Sequence, residues 1–161
     1  MIQQFLNKYL KDVWAWKRLV LTFILCSLIY FWYSGMMLHH IWDSPFNYKG
    51  ADFTYWLFHW LRLDQIPSSG YGVSLFFSIV LLLSFILAIV KIKNRYATIA
   101  AGILLLIYQV LFNGKLGYHT HHLFGFQFAL LPFYFKDDLF KASLGLARVL
   151  CCLAYFFAGF F

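Results

Sequence analysis

The chain has 161 residues, of which 63% are hydrophobic and 12% charged, and its formal net charge is +7. A water-soluble domain of this length needs more charged surface, so most of the chain must be dissolved in lipid. The basic residues are spread over several loops, which excludes nucleic-acid binding as the reason for the positive charge. The composition predicts an all-α fold, a polytopic transmembrane helical bundle.

Residues 1–18 form the first predicted element, a cytoplasmic amphipathic helix. Phe5, Tyr9, Val13 and Trp16 recur in it at helical spacing, with lysines between them. A helix that combines tryptophan and lysine in this way lies in the plane of the membrane interface. No small-residue cleavage pattern follows this segment, so the first apolar span is predicted to stay in the protein as an anchor.

The transmembrane domain is predicted to cover residues 19–161 and to contain about five spans. A span needs about 20 mainly apolar residues to cross the hydrocarbon. The fourth span is the shortest and contains Pro132, which is tolerated where a neighbouring group satisfies the freed carbonyl. The predicted spans are residues 19–38, 71–90, 96–112, 119–135 and 142–161.

The distribution of basic residues predicts how the bundle is oriented. Nine lysine and arginine residues flank the first, second and fourth spans on one side, and three lie in the opposite loops. The side with more positive charge faces the cytoplasm, so the N-terminus is predicted to be cytoplasmic. All six histidines then lie on the non-cytoplasmic side.

The densest polar cluster is the run from Tyr118 to His122, at the non-cytoplasmic mouth of the fourth span. Three interpretations are open. The imidazoles could hydrogen-bond loop carbonyl groups, act in acid–base chemistry on a substrate from this side, or supply part of a metal site. No metal is expected, because this side has no cysteine and the chain has no glutamate. His39 and His40 directly follow the first span and lie at the same membrane level as this cluster.

Arg148 stands out because it lies six residues into the fifth span. A guanidinium at this depth costs about 2.5 kcal/mol or more unless it is paired or reaches the interface. Its helix face continues through Cys152 and Tyr155. Two roles remain open for Arg148, an ion pair with Asp137 or Asp138 and a contact to a substrate.

Two segments resemble the membrane domain of the vitamin K-dependent gamma-carboxylase family and its bacterial relatives, the HTTM proteins. Residues 146–159 read LARVLCCLAYFFAG and are similar to the family's helix with Arg, Tyr-Phe and Ala-Gly steps. Residues 119–131 read HTHHLFGFQFALL and are similar to its Asn-His segment, although Gly117 and Tyr118 stand where the family has asparagines. The resemblance covers mainly residues 113–161.

The resemblance implies an enzyme of the bacterial inner membrane that uses a reduced quinone of the vitamin K type. Family carboxylases oxidise a hydroquinone with O2, which generates a base that removes a proton from glutamate, and CO2 then adds. His119 or His121 would take the catalytic histidine role, with His122, Tyr155 and Arg148 binding the quinone. A peptide or quinone substrate would enter from the non-cytoplasmic side. The family's catalytic lysine would follow residue 159, so a fragment of a longer chain is expected.

Two further hypotheses are compatible with the sequence. One is a small DoxX-like membrane protein that works beside a quinone or a redox partner. The other is a non-enzymatic membrane subunit whose aromatic loop, residues 39–70, docks a partner protein through Trp42, Trp56 and Trp60. Large aromatic side chains are frequent anchors of such interfaces.

The predicted orientation is tested by chemical labelling. A membrane-impermeant, histidine-selective reagent added to intact spheroplasts is expected to modify the solvent-accessible histidines, because all six histidines are placed on the non-cytoplasmic side. Peptide mapping by mass spectrometry measures the modification. Labelling that requires permeabilised membranes would contradict the orientation.

Overall fold

The computed structural model of the protein describes residues 13–46, 59–62, 70–116, 121–135 and 137–158. Over these residues the fold is all-helical and contains no strand, as the composition predicts. The elements in chain order are α1 (Val13–Tyr33), α2 (Tyr71–Val90), α3 (Arg95–Leu116), α4 (His121–Leu130), a 3-10 helix (Leu131–Tyr134) and α5 (Asp137–Ala158).

Three helices are long and apolar enough to cross a membrane: Val13–Tyr33, Tyr71–Val90 and Arg95–Lys115. The second has the bounds predicted from the sequence. Helix α4 has only 10 residues, which is about 15 Å of helical rise, before the chain tightens into the 3-10 helix at Pro132. The structure therefore supports three of the predicted spans, and the other two remain predictions.

Helix α1 begins and ends earlier than the predicted first span. Residues 13–18, predicted as part of an interfacial helix, are continuous with it. It stops because Gly35 adopts a left-handed conformation with φ 74°, and the Met36 amide donates to the Phe31 carbonyl at 2.9 Å. This is the hydrogen bond of a Schellman motif, in which glycine has no steric penalty.

After α1, residues 34–46 form the capping loop, which folds over one end of the helices. The Tyr108 hydroxyl of α3 donates to the Met36 carbonyl at 2.9 Å. The Lys115 amine, at the end of the same helix, donates to the carbonyls of Trp42 at 2.8 Å and Ser44 at 2.9 Å. These bonds supply partners for loop carbonyls that no helix or strand pairs. We call this the histidine end of the bundle, because the capping loop contains His39 and His40 and α4 begins here at His121.

The opposite end is fastened by a second lysine. Lys17 is only 2% exposed, and its amine donates to the carbonyl of Ile92, in the turn between α2 and α3, at 2.7 Å. The Asn94 side chain then caps α3 by accepting the Tyr96 amide at 2.9 Å. Lys17 is predicted from the sequence to lie in the cytoplasmic interfacial helix of residues 1–18, as one of the orienting charges, and the structure places it within α1.

The apolar core joins α1, α2, α3 and the end of α4. Its fully buried members include Leu21, Leu28, Leu81, Phe85, Leu105, Leu111 and Leu130. The closest approach is at Gly102 of α3, where a Cβ atom would overlap the hydroxyl of Tyr134. Glycine is therefore required for α3 to pack against the 3-10 helix at this distance.

Replacement of Lys115 by methionine tests the fastening of the capping loop. Lys115→Met keeps the length of the apolar stem but removes both hydrogen bonds, leaving the Trp42 and Ser44 carbonyls without this donor. We expect a loss of about 2 kcal/mol in the free energy of unfolding. Unfolding by sodium dodecyl sulfate in mixed micelles measures it. The control is Lys93→Met, since Lys93 is exposed, and equal stability of the two variants would contradict the assignment.

Candidate functional site

A cavity of about 410 Å³ lies among α1, the end of α4 with the 3-10 helix, and α5. Trp16 lines it from α1, Ala129 and Pro132 line it from the second side, and Leu144, Arg148 and Cys152 line it from α5. Its volume lies in the range of small-molecule sites, about 300–1,000 Å³. The cavity is therefore large enough to be a candidate site for a small molecule.

The local sequence explains why the cavity forms there. Leu144, Arg148 and Cys152 follow one another at four-residue intervals, so they lie along one face of α5. Pro132 lacks an amide hydrogen and ends the regular α4 helix, so the chain turns into α5 within a few residues. The end of α4 with the 3-10 helix and α5 thus form two adjacent walls of the cavity, and α1 supplies the third.

Among the described residues that line the cavity, Arg148 alone is charged. The ion pair considered from the sequence, with Asp137 or Asp138, does not fit the structure. All three residues lie on α5, and Asp138 is ten positions from Arg148. This separation is about 15 Å along the helix axis, which exceeds the combined reach of the two side chains. The guanidinium therefore remains available to a ligand in the cavity.

For the other predicted site residues the structure describes at most the backbone position. His119 is outside the described residues, and the side chains of His121, His122 and Tyr155 are too. The backbone places His121 in the first turn of α4, eight residues or about 12 Å of rise before Ala129. Tyr155 lies seven residues beyond Arg148 on α5. His121 and His122 thus lie at the start of α4, at the histidine end. The cavity that Arg148 lines is at the opposite end of α4.

A second cluster of polar side chains, centred on His39, lies at the histidine end. This side chain is 3% exposed, and its Nδ1 atom lies 3.1 Å from the Ser78 hydroxyl of α2. That hydroxyl donates its single proton to the Ser74 carbonyl at 2.9 Å. Nδ1 must therefore carry the hydrogen and donate it to Ser78, which leaves the lone pair of neutral His39 on Nε2.

Aromatic rings surround His39. The Trp32 and His40 rings have their centroids 4.4 Å and 3.9 Å from that of His39, and the Tyr71 ring is 6.1 Å away. Burial, and secondarily the neighbouring His40, lowers the pKa of His39. Both effects disfavour the positively charged form of His39 and favour the neutral form.

The structure also shows polar residues between α3 and α4 that were not predicted from the sequence. The Gln127 amide donates to the Gly102 carbonyl at 3.0 Å, and the Tyr134 hydroxyl donates to the Gln127 side-chain oxygen at 3.5 Å. Gln109, two turns above Gly102 on α3, is fully buried, and neither atom of its amide has a partner in the described part of the chain. A single glutamine within an apolar run is the signal that could have drawn attention to both positions.

Comparisons with protein-family models, with curated proteins and with solved structures find no match to this chain.

The lowered pKa of His39 predicts a dependence of stability on pH. The unfolded chain binds the proton more tightly, near pH 6.5, so the contribution of neutral His39 is present above this pH and is lost as the pH falls through the lower pKa of the folded state. We expect His39→Gln to flatten the curve of unfolding free energy against pH between about 7.5 and 5. If His39→Gln and the control His59→Gln alter the pH dependence of the unfolding free energy equally, the prediction is wrong.

Proposed function

We propose that this chain is the membrane domain of an enzyme that binds a reduced quinone-type amphiphile in the cavity between α1, α4 and α5. The observation that carries the proposal is a single guanidinium, Arg148, in an otherwise apolar cavity of about 410 Å³. Such a cavity fits a ligand with an apolar body and one polar oxygen group. A guanidinium donates hydrogen bonds to such an oxygen and stabilises negative charge on it.

The bound quinol would supply electrons and an ionisable ring hydroxyl. The residues of the chain have distinct tasks in this proposal. Arg148 orients the ring oxygen, and Trp16 and Leu144 pack against the apolar body. Because the walls are apolar, they keep the local dielectric low, which strengthens the interaction of the guanidinium with a developing charge.

The reaction proposed is the one implied by the resemblance to the carboxylase-like HTTM proteins, hydroquinone-coupled carboxylation. In this proposal His119 or His121 takes the catalytic histidine role, and His122 and Tyr155 are assigned, together with Arg148, to the quinone, as the resemblance implies.

Fluorescence of Trp16 tests the proposed ligand. A naphthoquinone with a short isoprenoid tail, titrated into the detergent-solubilised protein, is expected to quench this tryptophan because Trp16 lines the cavity. Arg148→Gln removes the charge that faces the ring oxygen. We expect it to raise the dissociation constant about tenfold, the equivalent of one charge-assisted hydrogen bond. Quenching also measures the affinity of the variant.

Three controls make this test specific. Arg18→Gln makes the same chemical change at an exposed position of α1 and should leave the affinity unchanged. Ala129→Phe fills the cavity and should abolish binding, and Trp16→Phe should remove the quenching signal without a change in fold. Equal affinities of Arg148→Gln and Arg18→Gln, or quenching that persists in Ala129→Phe, would contradict a site in this cavity.

A further inference from the structure

We propose that His39 and His40 form a binding site for a borderline divalent transition-metal cation such as Zn²⁺ at the histidine end. The site is separate from the Arg148 cavity and does not depend on the proposed quinone. Two neighbouring imidazoles, whose ring centroids lie 3.9 Å apart, supply the ligands once the exposed His40 ring turns out of this contact. Neutral imidazole nitrogen is a preferred ligand of zinc, copper and nickel.

The hydrogen bonds of His39 prepare it to coordinate a metal. Its Nδ1–H donates to Ser78 at 3.1 Å, and Ser78 is fixed by its own bond to the Ser74 carbonyl. A metal-binding histidine characteristically donates its second ring nitrogen to such a partner, which sets the tautomer and holds the ring in place. Nε2 of His39 is thereby left with its lone pair, and among the described residues no protein atom donates a hydrogen bond to it.

His40 gives the site its access to solvent. It follows His39 directly in the capping loop and is exposed, and none of the described residues hydrogen-bonds its ring. The aromatic rings of Trp32 and Tyr71 flank the pair. A cation that approaches from the exposed side therefore meets one exposed imidazole, of His40, and one imidazole fixed by a hydrogen bond, of His39.

The ligand set selects the class of cation. No group of three histidine, cysteine or acidic side chains converges in the described part of the chain, so water would complete the coordination sphere. Without a carboxylate, this pair does not suit Ca²⁺ or Mg²⁺, which require oxygen ligands.

Equilibrium dialysis with Zn²⁺ on the purified, tag-free protein in detergent tests the site. The wild type is expected to bind one equivalent of zinc. His40→Gln and His39→Gln should each lower the affinity for this zinc by about tenfold or more. A variant with glutamine at positions 119, 121 and 122 keeps His39 and His40 and should retain this equivalent. Zn²⁺ should also raise the melting temperature of the wild type but not that of His40→Gln.

Control variants distinguish a specific zinc site at His39 and His40 from non-specific zinc binding by other histidines. His59→Gln removes a histidine outside the pair and should bind Zn²⁺ like the wild type. Ser78→Ala keeps both imidazoles but removes the oxygen that orients His39, and it should weaken binding severalfold. Unchanged zinc affinity in His40→Gln, which alters an exposed residue and should fold, would overturn the proposal. Loss of the equivalent in the variant at positions 119, 121 and 122 would overturn it as well.

Discussion

Polar groups in the apolar interior of this bundle need partners within the protein, because lipid offers them none. Two lysines satisfy this requirement at opposite ends. Lys17 donates to the Ile92 carbonyl, and Lys115 donates to two carbonyls of the capping loop. In both cases the aliphatic stem lies among apolar groups, while the ammonium pairs with backbone oxygens of a segment between helices. The connecting loops are fixed in this way, and the helices with them.

Polar groups without a protein partner mark where the protein can act. Among the described residues, no carboxylate lines the cavity beside the exposed Arg148, and no group donates to Nε2 of His39, which lies next to a second imidazole. The amide of Gln109 is a third case, fully buried and unpaired among the described residues. A buried polar group without a partner costs free energy, so a ligand that completes it stabilises the protein. The two proposals concern the first two groups, which have space or solvent beside them.

The sequence predicted the all-helical fold and the bounds of Tyr71–Val90, because a long, uncharged apolar run has one physical explanation. It predicted the end of α1 poorly, since Gly35 lies inside an apolar run and acts through its left-handed conformation. Arg148 was recognised from its chemistry alone. The His39–Ser78 bond and the buried role of Lys17 join residues 39 and 75 positions apart, and no local pattern reveals such pairs.

The most direct test of the central claim is to identify what the cavity holds when the protein is isolated from its membrane. Wild type and Arg148→Gln would be purified in mild detergent, extracted with organic solvent and analysed by liquid chromatography and mass spectrometry. Retention of an isoprenoid quinone by the wild type in near-equimolar amount, with strong depletion in Arg148→Gln, is the expected result. Equal traces of quinone in both proteins, with a different lipid retained through Arg148, would contradict the proposed ligand.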